Sequence, residues 1–203
     1  MTAQLKEARL FTYADYKEWE LAEGERFELI YGEAFAMAAP SEIHQLILGD
    51  LYAQIYNYLL DKSCVVIPAP YDVRLFFEGD EYDDTVVQPD ISVVCDAKKR
   101  GPEGCRGAPD LVVEILSPTN MAIEMERKFQ LYRDAGVREY WVVDPENRGI
   151  KVYLFGSSSI VVNTYRDTGA FAVQTLPGLN INLARVFAKI VPAENRAAGA
   201  NKI

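Results

Sequence analysis

A carboxylate sits in the middle of an aliphatic strand: Glu114 interrupts LVVEIL, residues 111–116. A short aliphatic run of this kind reads as a buried strand. An unpaired carboxylate buried there costs on the order of several kcal/mol. Any fold containing the strand must therefore give Glu114 a proton, a cationic partner or a metal ion. Each of those remedies dictates what packs beside it.

The preceding strand, residues 86–95, contains the pair Pro89-Asp90. If the strands at Asp90 and Glu114 pair as an antiparallel hairpin about a loop centred near Pro102, Asp90 lies opposite Glu114. Asp110, four residues before Glu114, shares its face, while Leu111, Val113 and Ile115 point the other way. Carboxylates that converge at a strand edge repel one another, and a hard divalent cation such as Mg²⁺ is the usual remedy. The plainer reading makes Asp90 and Asp110 turn residues after Pro89 and Pro109. Both readings stand at this point.

A cation is available on the next helix. On a wheel of about 100° per residue, Met121, Met125, Phe129 and Tyr132 form one apolar arc, continued by Leu131 and Ala135. Lys128 falls inside that arc, whereas Arg127, Gln130 and Arg133 fall on the solvated face. Glu124 lies at the margin of the arc, four residues before Lys128. A surface Glu124–Lys128 pair or a snorkelling lysine is the ordinary alternative to a lysine aimed at Glu114. His44, the only histidine, sits on an apolar face in the first turn of an earlier helix. It is either a core histidine or a group near a phosphate held by the helix N-terminus. Glu28 and Glu33, in the first hairpin, are either solvated or part of the acidic cluster.

The remaining elements follow from spacing. T-x-x-D at Thr12 and Asp15 caps a short helix over residues 12–21, and residues 27–37 form a hairpin turning near Gly32. Ser41 caps a long helix over residues 42–60. Strands are expected at 64–67, 71–77, 86–95 and 110–116, with the basic loop KKRGPEGCRG joining the last two. A helix opened by Ser117-Pro118-Thr119 runs to Ala135 and stops at Gly136. The strand 139–144 and an edge hairpin, 150–155 with 160–165, complete the pattern. The fold class is α/β: a mixed sheet flanked by helices, with extra N-terminal and C-terminal β-hairpins. Residues 1–192 read as one domain and residues 193–203, rich in Ala, Asn and Gly, as a tail.

Charge and cysteines bound the function. The formal charge of −9 and the pI near 4.7 disfavour a broad phosphate-binding surface. Nucleic acid remains admissible if positive charge is local or a divalent ion bridges the contact. No segment reads as a signal peptide or a membrane span, which points to a cytoplasmic protein with no membrane partner. Cys64, Cys95 and Cys105 lack C-x-x-C spacing, so reduced thiols are expected, with neither a disulfide framework nor structural zinc. G-x-S-x-G, Walker A and G-x-G-x-x-G are all absent. The paired apolar strands and the edge hairpin suggest a homodimer.

Asp, then Glu on a later strand, then Lys, follows the logic of the PD-(D/E)XK nucleases. More specifically, ELIYGEAFAMAAPSEIH, PDISVV, GAPDLVVEILSP, RKFQLY and GVREYWVVDP together resemble the Uma-two family of restriction-endonuclease-like proteins, across residues 10–165. The resemblance implies a restriction-endonuclease-like fold and metal-dependent hydrolysis of DNA. It implies that Asp90 and Glu114 bind Mg²⁺ or Mn²⁺, that Glu28 is the additional acidic residue, and that Lys128 positions or deprotonates the water. The motif's lysine would stand two residues after Glu114, where this chain has Leu116. The family moves it to the following helix, and Lys128 is where it lands. Members often carry Asp where this chain has Glu124. The alternative is a catalytically silent nuclease-fold protein that binds nucleic acid or a protein partner.

Overall fold

The computed structural model describes residues 10–79, 81–117, 122–166 and 169–190, with the side chains of 122–124 excepted. After α1 (Tyr13–Lys17), the chain forms a hairpin of β1 (Phe27–Ile30) and β2 (Glu33–Ala36), then the long helix α2 (Glu42–Leu59). Next come β3 (Val65–Pro68), β4 (Val73–Arg74), β5 (Val86–Val87) and β6 (Ile91–Val94). A small hairpin, β7 (Arg100–Gly101) and β8 (Gly104–Arg106), precedes β9 (Leu111–Ile115), α3 (Ala122–Ala135) and β10 (Glu139–Asp144). The edge hairpin is β11 (Gly149–Phe155) with β12 (Ile160–Arg166). β13 (Ala170–Ala172), β14 (Asn180–Asn182) and the short α4 (Leu183–Val186) follow.

The α/β class with a mixed sheet and flanking helices is what the chain adopts. The central sheet has the order β12-β11-β10-β9-β6-β3. Within it β9 and β10 run parallel, joined through α3, and the other neighbours are antiparallel. Alternation along the strands sorts its two faces. Val93, Leu111, Val113 and Trp141 pack with Ile47, Leu51 and Ile55 of α2, whereas Val94, Val112 and Tyr140 pack with Leu131 and Tyr132 of α3. Glu114, two residues after Val112, is thereby turned toward α3.

One expected strand divides. Residues 86–95 form β5 and β6, which belong to different sheets. Pro89 has no N–H to donate, so a ladder cannot continue through it. The chain instead leaves a second six-stranded sheet, of order β2-β1-β5-β4-β8-β7, and enters the central one at Asp90. The basic loop expected between β6 and β9 contains the β7–β8 hairpin, and the strand expected at 71–77 shrinks to Val73–Arg74. The edge hairpin and the caps follow expectation: Ser41 Oγ accepts from the His44 N–H at 3.2 Å, and Thr12 and Asp15 form a capping box. Gly136 takes a φ of +86° as α3 ends. The expected cap at Ser117-Pro118-Thr119, Met121 and the tail 193–203 lie wholly or partly outside the described residues.

The cysteine expectation is overturned. Cys64 and Cys95 are joined by a disulfide, and Cys105 is free and buried. The antiparallel register of β3 and β6, with Val65 opposite Val94, places Cys64 beside Cys95 one step beyond the ladder. That pairing of strands distant in sequence has no local spacing signature. Among the described residues no helix is long and apolar enough to cross a membrane.

Candidate active site

The junction between the two sheets opens into a cleft of about 420 Å³ whose lining includes Glu28, His44, Asp90, Glu114 and Lys128. Five segments of the chain converge there. β1 supplies Glu28, the first turn of α2 supplies His44, the segment before β6 supplies Asp90, and β9 supplies Glu114. Lys128 arrives from α3 on the crossover to β10. Ile91 opposite Val113 in the β6–β9 ladder puts Asp90 opposite Glu114 by continuation of the register.

Lys128 is 3 % exposed and its Nζ lies 3.0 Å from Oε1 of Glu114 and 3.0 Å from Oε1 of Glu28. The same Glu114 oxygen accepts from the Tyr132 hydroxyl at 2.6 Å. Glu28 Oε1 also accepts the Gln88 backbone N–H at 3.0 Å, just before the sheet-switching proline. Asp90 accepts the Ile115 N–H at 2.7 Å through Oδ2 and meets His44 Nε2 at 3.0 Å through Oδ1. Gln45 Oε1 contacts the other imidazole nitrogen at 3.1 Å. Among the described residues, the second oxygens of Glu28 and Glu114 make no hydrogen bond.

These distances set the charges. Burial pushes the Glu114 carboxyl up to about 7 against the pull of Lys128, and the charges of Asp90 and Glu28 push the same way as burial. Burial opposes the ammonium of Lys128, but Glu114 and Glu28 outweigh it and hold the group well above its ordinary range. His44 follows the same pattern: burial disfavours its cation, and the hydrogen bond and charge of Asp90, with Gln45 and Glu114, together outweigh it and raise the imidazole above its ordinary value. Lys128 is thus committed to Glu28 and Glu114, and His44 to Asp90.

Other residues singled out in the sequence fall elsewhere. Asp110 shares the face of Glu114 but lies about 13 Å away along the strand, at a rise of about 3.3 Å per residue. There its two oxygens accept from the Cys95 N–H at 2.6 Å and from Arg138 Nη2 at 2.7 Å, so it ties strand ends together. Glu33 is exposed on β2. The side chain of Glu124 lies outside the described residues. In the sequence Tyr132 carries only the signal of an apolar ring in the helical arc; its hydroxyl gains a role because α3 packs over Glu114. Arg127, placed on the solvated face, is half-buried, lines the cleft and sits over the Phe35 ring at 4.4 Å.

A family model described as "Putative restriction endonuclease", Uma2, matches residues 13–184. The chain belongs to the Uma2 family. Among curated proteins, an uncharacterized protein of Synechocystis sp., slr1290, is 29% identical over 140 residues, covering 68% of this chain and 71% of its own. The crystal structure of a putative nuclease belonging to DUF820, from Anabaena variabilis, superposes with a TM-score of 0.70 at 19% identity. That likeness covers 89% of this chain and 99% of the other, and it speaks to the fold. The Uma2 chain is therefore nuclease-like in family and architecture.

The donors fit a hard divalent cation. One carboxylate oxygen each of Glu28 and Glu114 makes no hydrogen bond among the described residues, and burial pushes the Glu114 carboxyl up. Among the described residues no group of three or more His, Cys, Asp or Glu forms a ready-made cage. Mg²⁺ is commonly held by one or two carboxylates, with waters and substrate phosphate completing its shell.

Proposed function

We propose that this protein is a metal-dependent endonuclease that hydrolyses DNA phosphodiester bonds. The observation that supports it most is the convergence of Asp90, Glu114, Glu28 and Lys128 on one cleft. Asp90 and Glu114 would hold Mg²⁺ or Mn²⁺, with Glu28 as the additional acidic residue. When bound, the cation would make a nearby water more acidic and offset charge growing on the phosphate. His44 and the Ile115 N–H fix the orientation of Asp90. Tyr132 and Lys128 fix Glu114. The ion pairs keep Lys128 an ammonium, so its role is to position and to donate a hydrogen bond, not to remove a proton.

The protein also acts as a homodimer in this reading. β12 is an edge strand of the central sheet, and Ile160, Val161 and Val162 are 40 to 50% exposed on it. An unprotected apolar edge favours pairing with another strand. Light scattering on the native protein and on Val161→Lys checks this, a monomer in both being the contrary result.

The decisive assay offers supercoiled plasmid and single-stranded DNA with Mg²⁺, with Mn²⁺ or with chelator. Cleavage is expected with either metal and should fall at least about 100-fold in Asp90→Asn and in Lys128→Met, each checked for folding by circular dichroism. Activity surviving both substitutions sinks the assignment. DNA binding without cleavage under every condition favours the silent-binder alternative.

A further inference from the structure

We infer that the substrate strand enters this cleft unpaired, with one base stacked on the Phe35–Arg127 shelf; the inference rests on the nuclease reading above and names its substrate class. One wall of the cleft is built from Phe35, Ala36, Met37, Ala38, Ala39 and Pro40, a run without charge. Phe35 lies directly opposite Glu28 in the β1–β2 ladder, which puts an aromatic ring next to the acidic group. The Arg127 guanidinium covers that ring at 4.4 Å, one residue before Lys128. Arg26 lines the same cleft. Neither arginine makes an ion pair among the described residues, whereas Arg74, Arg133, Arg138 and Arg185 all do.

That arrangement matches single-stranded nucleic acid. A ring and a guanidinium stack on the face of any base, and a local pair of cations serves one backbone. A duplex presents about one phosphate per 1.7 Å of axis and calls for a broad basic surface. The chain carries 30 acidic against 21 basic residues. A cleft of about 420 Å³ admits a nucleotide but not a helix. The apolar wall takes the base, Arg26 and Arg127 the flanking phosphates, and the scissile phosphate faces Glu114 and Asp90.

The test compares one sequence in three forms: single strand, duplex, and a single strand with one abasic position. Cleavage is measured with Mn²⁺, and binding by fluorescence anisotropy without metal. The wild type should cut and bind the single strand at least about tenfold better than the duplex. Phe35→Leu, which keeps an apolar side chain at a half-buried position, should weaken single-strand binding roughly tenfold. Its melting curve serves as the folding control. The abasic strand should bind the wild type and Phe35→Leu equally weakly, because the stacking partner is already gone. Equal affinity for duplex and single strand overturns the inference, as does a Phe35→Leu variant as tight as wild type. If no DNA is cut at all, the nuclease reading fails while the anisotropy arm still decides the stacking claim.

Discussion

Glu114 meets its burial by concentrating two donors on one oxygen, the Lys128 ammonium and the Tyr132 hydroxyl. Tyr132 is fully buried, so Tyr132→Phe removes one donor while keeping the ring and its packing. A hydrogen bond to a charged acceptor contributes about 1.5–3 kcal/mol, and urea unfolding should show a loss of that size without a change in slope. Asp72 offers a contrasting case. Its Oδ1 accepts from Tyr16 at 3.0 Å and Gln88 at 2.9 Å, yet burial still raises its carboxyl above the ordinary 3.8. A folded-state pKa above the unfolded one means the stability linked to its protonation is present at low pH and lost as pH rises through the raised value. Asp72→Asn keeps an acceptor for both donors and carries no charge. Thermal melts should find it more stable than wild type at pH 7, with the difference fading below about pH 4. A gain that persists at low pH refutes the electrostatic account. Asp90, Glu114 and Lys128 were legible in the chain because hairpin symmetry about Pro102 and a helical wheel are local arguments. The hydroxyl of Tyr132 and the His44–Asp90 contact were not, since each depends on which elements meet in space.

At the scale of elements, the site depends on where strands change sheets. Glu28 accepts the N–H of Gln88, and Asp90 follows Pro89, so the switch from β5 to β6 sets both carboxylates. Residues 86–95 read as one strand because their aliphatic content is continuous; the proline inside them carried the signal of a break. The β7–β8 hairpin was hidden in a loop-like composition for a different reason, its strands being only two and three residues long. Its turn depends on Gly104, which has a φ of +112° and would place a Cβ 2.3 Å from the Asp72 carbonyl oxygen. That carbonyl accepts the Cys105 N–H at 2.7 Å, tying the hairpin to the chain before β4. Gly104→Ala combines an unfavourable backbone region with a backbone clash and should cost at least about 2 kcal/mol. Denaturant melts give the number, and a loss under about 0.5 kcal/mol, the range of neutral surface changes, argues against the close approach.

For the whole molecule, the acidic composition and the two cleft arginines, which make no ion pair among the described residues, are compatible because charge acts locally at a site and globally on solubility. The covalent cross-link is the global feature that sequence spacing could not supply. Cys64 and Cys95 stand 31 residues apart and meet only because β3 and β6 pair. A closed loop of that length restricts the unfolded chain, with a chain-entropy contribution of about 3–4 kcal/mol. Cys105, by contrast, is a fully buried thiol that burial pushes up to about 11. Thiol titration tests both statements at once. The native protein without reductant should show no reactive thiol at pH 8, since Cys105 is neither accessible nor ionised. Unfolding in guanidinium without reductant should expose one thiol, and unfolding after reduction should expose all three. Three thiols in the unreduced, unfolded chain would exclude the cross-link. One thiol, with a denaturation midpoint that falls on prior reduction, would show that β3 and β6 are tied as the structure has them.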